Sequence, residues 1–296
     1  MKVHKLFIYL LIASAFLMII ACGGGGGGDS TGSGEVTMSI TDAKPVLPEG
    51  AEYLLITFEE VLVHKAGGGW ISLPLAESPY TIDLLQFYNG KTTELVPPVS
   101  LESGKYTKIR IVVSEATIGI KDEFDEVNDF KVTIPSENLK TDKNFIFDVK
   151  GGGAVDITVD FDLSKSLVVT DELGTPSYKL KPVLHIVKTL EAATIIGWIN
   201  DTSFIDPYDA RVTVFVYNTD IGDYEEYTKL DVSPDEISPT EFSIYWLVPN
   251  EKYLVEIDFN TSSDLDVKYT EEIDPTDDNV DIGPGAMHEL NGGNPI

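Results

Sequence analysis

Three aspartates recur in the stretch GGGAVDITVDFDL: Asp156, Asp160 and Asp162. On an extended strand, residues two apart share a face at about 6.5–7 Å. These carboxylates therefore project from one face, opposite Val155, Ile157, Val159 and Phe161. Such a separation suits acid–base hydrolysis of a glycosidic bond, with Asp160 or Asp162 as acid or base and one of them carrying a raised pKa. That chemistry also needs a cleft, which an open sheet face does not offer. The spacing is too wide for one cation to be shared along the strand without an adjacent strand or loop. Two acidic loops, residues 121–129 (KDEFDEVND) and 274–283 (DPTDDNVDIG), could converge oxygens on a structural Ca2+, with Asp277, Asp278 and Asp281 as candidate ligands. Neither has the ligand spacing, glycine or terminal glutamate of an EF-hand.

Other catalytic groups do not assemble. His64, His185 and His288 lie far apart, and none has a second histidine at metal-ligand spacing. H-E-x-x-H and G-x-S-x-G are both absent, and a strand-borne histidine among charged neighbours reads as solvated or capped. Gly90-Lys91-Thr92 resembles the end of a phosphate loop, but Leu85 stands where the first glycine must be. The G-x-G-x-x-G match in the glycine run after Cys22 has no strand before it and no helix after it. No catalytic residue is assigned, no cofactor is expected, and the chain is not read as an enzyme. Exposed aromatics are the other route to function, because they anchor sugars and protein partners. Trp70 follows a triple-glycine turn, Trp198 and Trp246 fall in strands, and Tyr217, Tyr224, Tyr227 and Tyr245 gather in the second half. Alternation places Tyr245 and Trp246 on opposite faces, so one of them points outward.

The elements that must position these groups have a period of two. VTMSI puts Val36, Met38 and Ile40 on one face, and YLLITFEEVLVH reads as a central strand. GKYTKIRIVVS alternates Thr107, Ile109, Ile111 and Val113 against Lys108 and Arg110. TIDLLQF fits a short helix or a turn. YKLKPVLHIV closes the block, with Pro182 marking an edge or a bulge. From Ile195, six further strand-like runs follow at spacings of roughly ten to fifteen residues, separated by turn signals such as Asp206-Pro207 and Pro249-Asn250. The expectation is all-β: two antiparallel, sandwich-type (Ig-like or transthyretin-like) domains over residues 35–190 and 192–290, with a tail at 291–296.

The first residues speak to location. Lys2, His4 and Lys5 precede an apolar run from Leu6 to Ile20, about 22 Å as a helix and too short to span a ~30 Å hydrocarbon core. A basic start, a short apolar stretch and small residues at the boundary form a signal peptide, residues 1–21. Ile19-Ile20-Ala21-Cys22 resembles the bacterial lipobox, which implies diacylglyceryl attachment to Cys22 and cleavage before it. Cys22 is the single cysteine of the chain, so its thiol serves attachment and no disulfide staples the fold. Several acyl chains, palmitate among them, give stable anchoring where one would be marginal. Residues 22–34 are the lipidated cysteine and a Gly/Ser tether, a flexible coil with a mean span near 19 Å. Gly23 after the cysteine resembles export to the outer membrane of a two-membrane bacterium.

The chain carries 49 acidic against 21 basic residues, a net charge of −28; removing residues 1–21 takes away Lys2 and Lys5 and no acid, giving −30. Such an acidic surface argues against nucleic acid and against docking on anionic headgroups, and favours solubility and attraction of cations.

The first block is similar to a known family. VTMSITDAKP, ITFEEVLVHKAGGGWISL, IDLLQFYNG, LESGKYTKIRIVVS, GGGAVDITVDFDLSKSLV and YKLKPVLHIV occur in the order typical of the domain of unknown function 4382, found in bacterial lipoproteins with a similar glycine-rich leader. The resemblance implies an exported β domain and no activity. Residues 192–290 resemble carboxypeptidase-regulatory and transthyretin-like sandwiches through GWIN, ARVTVFVYN and LVPNEKYLVEI, although Pro239-Thr240-Glu241 replaces the usual Asp-Gly. The combined expectation is a lipid-anchored cell-envelope protein, a non-enzymatic surface module for adhesion or for capture of a protein or glycan. The alternative is an exported carboxylate-dependent polysaccharide hydrolase.

Overall fold

The computed structural model describes residues 32–42, 47–135, 138–140, 145–172, 175–200, 210–233, 239–259, 267–278 and 280–296. Cys22, the signal segment and the tether up to residue 31 lie outside the described residues, as does the Asp206-Pro207 turn. The strands in chain order are β1 (Ser33–Thr41), β2 (Ala51–Lys65), β3 (Trp70–Leu73), β4 (Tyr80–Asp83), β5 (Thr93–Glu102), β6 (Gly104–Lys121), β7 (Val127–Thr133), β8 (Asn138–Lys140), β9 (Phe147–Val149) and β10 (Ala154–Phe161). They continue as β11 (Leu167–Glu172), β12 (Thr175–Leu180), β13 (Leu184–Lys188), β14 (Ala193–Ile199), β15 (Ala210–Asn218), β16 (Asp223–Val232), β17 (Thr240–Leu247), β18 (Tyr253–Phe259), β19 (Val267–Ile273) and β20 (Met287–Glu289). One helical turn, α1 (Leu163–Ser166), follows β10. The protein is all-β as its period-two patterning requires. Most pairings are antiparallel, but β1 with β10, β7 with β12 and β14 with β20 run parallel. Among the described residues, no helix is long and apolar enough to cross a membrane.

Residues Gly32–Ile296 form one compact unit with two hydrophobic cores. The first joins a four-stranded sheet, in the order β13-β10-β1-β5, to a nine-stranded sheet built around β2 and β6. Val36, Met38 and Ile40 are fully buried along one face of β1. On β2 the inward set is Leu54, Ile56 and Phe58, then Val61 and Val63. The phase changes because Phe58 pairs with Val113 and Glu60 with Val112, leaving Glu59 as the extra residue of a bulge. A similar irregularity at Thr107 buries Tyr106 in its place: His64 pairs with Lys108 and Lys65 with Tyr106. The inward position expected for Thr107 is corrected accordingly.

Two other stretches settle into forms the pattern left open. TIDLLQF is the end of β4 followed by a 3-10 turn, Leu84–Gln86, whose start is held by Asp83 Oδ1 accepting from the Leu85 amide at 3.2 Å and the Leu54 amide at 3.0 Å. YKLKPVLHIV is two strands. β12 ends at Leu180 in the larger sheet and β13 begins at Leu184 in the smaller, with Pro182 in the crossing. Proline has no amide hydrogen to lose there. The amides on either side are served by α1: Lys181 N–H donates to the Ser166 carbonyl at 2.7 Å and Val183 N–H to Ser166 Oγ at 2.9 Å.

The second core lies between a three-stranded sheet, β17-β14-β20, and a four-stranded sheet, β16-β15-β18-β19. Its centre includes Ile195, Val212, Val214, Leu247, Tyr253, Val255 and Ile257. Gly197 is needed on β14, since a Cβ there would stand 2.4 Å from the Phe242 ring.

Met38 sits in register between Ile157 on β10 and Val96 on β5 with no exposed surface. Met38→Ala should cost about 2–5 kcal/mol, read as a lower urea midpoint at unchanged slope; an unchanged midpoint would contradict its place in the core.

Candidate functional site

Asp160 and Asp162 do not face solvent. Asp160 is 3% exposed and Asp162 0%, and every residue of β10 from Ile157 onward is buried. The expectation of an acidic outer face on this strand is corrected: only Asp156 remains exposed, its carboxylate accepting from Thr37 Oγ1. Strict alternation marks an outer face only where one side of a sheet meets water. Here the second side is covered by residues of β16 and β17, among them Tyr227, Thr228, Tyr245 and Trp246. The His185 ring on β13 packs 4.0 Å from the Tyr227 ring on β16, centroid to centroid, tilted by 30°. Lys165 Nζ of α1 donates to the Glu226 carbonyl. The Asn89-Gly90 turn meets Tyr245, where a Cβ on Gly90 would come within 3.1 Å of the ring.

Within this seam the structure gathers Asp160, Asp162 and His185, and adds Asp42, which the sequence did not single out. The register aligns Asp160 with Thr41 on one side and with His185 on the other, so the residue after Thr41 arrives beside Asp160. Asp42 is 1% exposed. Its amide donates to the Phe87 carbonyl at 2.8 Å, and its Oδ1 accepts from the Leu163 amide at 3.0 Å. Its Oδ2 has no hydrogen-bond partner among the described residues. Asp162 Oδ1 accepts from Ser164 Oγ at 2.5 Å. Its Oδ2 stands 3.4 Å from His185 Nε2, a close approach without hydrogen-bond alignment.

Burial pushes the Asp42 carboxyl well above its ordinary value, and the neighbouring charges of Asp160 and Asp162 push the same way against the Leu163 amide, which pulls it down. Burial also lowers Lys165, opposed by the nearby Asp162. The void in the seam, reached by Asp42, Asp160, Thr228 and Trp246, measures about 20 Å³, room for about one water molecule. A sugar ring cannot enter it. Such a group can hold a proton and join two bodies of the protein, but it cannot reach a glycosidic bond.

A second feature is open. A cleft of about 400 Å³ lies between β16 and β17 and is also lined by Asn89. Tyr245 stands on its wall, 36% exposed. Glu241 is exposed there and accepts from Trp198 Nε1 at 3.2 Å. Asp231 is gripped by both arms of Arg211, at 2.7 and 3.0 Å. Tyr245 points outward and Trp246 is half-buried with a buried Nε1. Trp246 has a φ of 62°, and the pairing of β14 with β17 shifts register at this point, so the two aromatics leave strict alternation.

The remaining candidates are spent locally. Trp70 is covered on one face by the Arg110 guanidinium at 4.3 Å and met edge-on by His64. His288 Nε2 lies 3.1 Å from Glu271. In the loop 121–129, Asp122 accepts from the Phe124 and Glu126 amides and from Asn128, which lowers its carboxyl. In the loop 274–283, Asp274 is lowered to about 2 by the hydroxyl and amide of Thr276 and by Lys252. Asp277 and Asp278 are exposed, and Asp281 Oδ1 accepts from the Gly283 amide at 3.1 Å. Among the described residues, no group of three or more His, Cys, Asp or Glu side chains is placed to hold a metal ion. Asp277, Asp278 and Asp281 are therefore not brought together as a ligand set.

Fold and sites together define a multi-sheet β protein with a sealed acidic seam and an open polar cleft. The chain belongs to the family described as Domain of unknown function (DUF4382), whose sequence model matches residues 33–182. That match covers the first core except Leu184 and Ile186 of β13, and it includes β10 with Asp42, Asp160 and Asp162. No curated protein matches the chain. Among solved structures it aligns with the Bacillus anthracis TIE protein at 10% identity, over 97% of this chain and 60% of that one, with a TM-score of 0.20, too low to define a shared fold. The chain thus spans a little under two thirds of that protein.

Because Asp42 titrates higher folded than unfolded, the native state holds the extra proton between the two values. Stability therefore falls as pH rises from about 3.8 through that interval. Asp42→Asn keeps an oxygen to accept from Leu163 and removes the charge. In thermal melts the variant should match or exceed the parent at pH 8, with its advantage shrinking toward pH 4. A variant less stable than the parent at pH 8 would contradict this account.

Proposed function

We propose that this is a lipid-anchored cell-envelope protein acting as a non-enzymatic binding or structural module, held through Cys22 and presented on a glycine-rich tether, in the outer membrane of a two-membrane bacterium. The observation that carries the non-enzymatic part is the burial of Asp160 and Asp162. The hydrolase alternative assigned them the acid–base role, but Asp162 has no exposed surface and Asp160 lines a void of about 20 Å³. The open cleft on β16 and β17, with its exposed tyrosine, supports capture of a ligand. The anchor reading rests on Ile19-Ile20-Ala21-Cys22 after a short apolar run. The second body, three strands facing four, is read as a carboxypeptidase-regulatory or transthyretin-like sandwich. Its partner is a surface protein or a glycan; the acidic surface disfavours nucleic acid.

In the native host, Cys22→Ser should abolish lipid labelling and shift the protein from the detergent phase to the aqueous phase or leave uncleaved precursor. Unchanged partitioning would end the anchor reading. Incubation of the full chain with polysaccharides should give retention without product. Product that vanishes in Asp160→Asn or Asp162→Asn would end the non-enzymatic reading.

A further inference from the structure

The cleft between β16 and β17 has a chemistry that selects among ligands. At about 400 Å³ it falls within the roughly 300–1,000 Å³ range of small-molecule sites. Its two carboxylates are already oriented: Trp198 Nε1 holds Glu241 and Arg211 clamps Asp231. Among the described residues that line it there is neither lysine nor arginine, so an anionic ligand would meet two carboxylates with no cation among those residues. A cationic ligand would find Asp231 already neutralised by Arg211 and one exposed aromatic ring, Phe242 being buried, where recognition of organic cations uses a cage. Asn89, Ser233 and Ser243 add neutral hydrogen-bonding groups. A peptide side chain seeking an apolar pocket would find few apolar walls.

Tyr245 completes the pattern. Its ring is exposed on the cleft side and backed by Gly90, where the absence of a Cβ lets the turn approach. Asn89 and Gly90 both take left-handed conformations, φ 55° and 76°, which fixes the turn that supports the ring. A supported aromatic face beside fixed acceptors and amide or hydroxyl groups matches a sugar, which offers an apolar C–H face and a rim of hydroxyl donors.

We propose that this cleft binds a neutral glycan, with Tyr245 stacking on a sugar ring and Glu241 and Asn89 bonding its hydroxyls. The proposal rests on the binding-module reading and names its ligand class. The test is calorimetric titration of the detergent-solubilised full chain with maltotriose, cellotriose and chitotriose, with a trigalacturonate as anionic control and spermidine as cationic control. At least one neutral trisaccharide should bind and both controls should fail. Tyr245→Ala should weaken binding about tenfold or more, while Tyr245→Phe, which keeps the ring on Gly90, should stay within about threefold. Glu241→Gln should weaken it by a smaller factor, with the thermal melt confirming a folded variant.

Binding only of spermidine or trigalacturonate, or no binding of any neutral trisaccharide, would overturn the proposal. So would neutral-sugar binding indifferent to both Tyr245→Ala and Glu241→Gln, although that last result would leave the module reading standing. Chromatography of the same mixtures separates the two claims, because released mono- or disaccharide would count against the module reading itself.

Discussion

Strand β10 is covered on both faces, and much of the rest follows from that. One side of it contributes Ile157, Val159 and Phe161 to the first core. The other carries Asp160 and leads to Asp162, and it is closed off by β16 and by the end of β17. Burying a carboxylate is costly unless hydrogen bonds or a partner compensate. The seam meets that demand with the Leu163 amide on Asp42 and the Ser164 hydroxyl on Asp162, and it sets His185 Nε2 3.4 Å from Asp162 Oδ2. A carboxyl that stays neutral lowers the cost further, which is the direction in which Asp42 is driven.

The same seam explains small residues and unusual torsions far apart in the chain. Gly90 lacks a Cβ because Tyr245 lies where one would be. α1 turns the chain away from β10, and its Ser166 serves the amides on both sides of Pro182. The left-handed Trp246 falls at the register shift between β14 and β17, beside the void that Asp42 also reaches. Each local irregularity is placed where the two cores meet.

This arrangement separates two kinds of acid. Those in the seam are sealed and used for joining, whereas those on the cleft are open and held as acceptors by Trp198 and Arg211. The large negative charge of the chain is spread elsewhere over solvated loops, where Asp122 and Asp274 stabilise their own turns. Charge count alone therefore says little about where a ligand would bind.

Period-two alternation was enough to determine the all-β character, the inward face of β1 and the aliphatic inward set of β10, because side chains on a pleated strand must alternate. The order of motifs was enough to identify the family. Residue counting missed the bulges at Glu59 and Thr107, since an inserted residue shifts the phase only relative to a partner strand. The split at Pro182 was legible as an interruption, but not as a change of sheet. The fate of Asp160 and Asp162 was decided by tertiary structure alone. Whether a polar face meets water depends on what packs over it, and the covering residues lie some 65 to 85 positions further along the chain. For the same reason Asp42 was invisible as a site residue: a lone aspartate at a strand end acquires an unusual proton affinity only when the fold buries it and parallel pairing of β1 with β10 brings it to two other carboxylates.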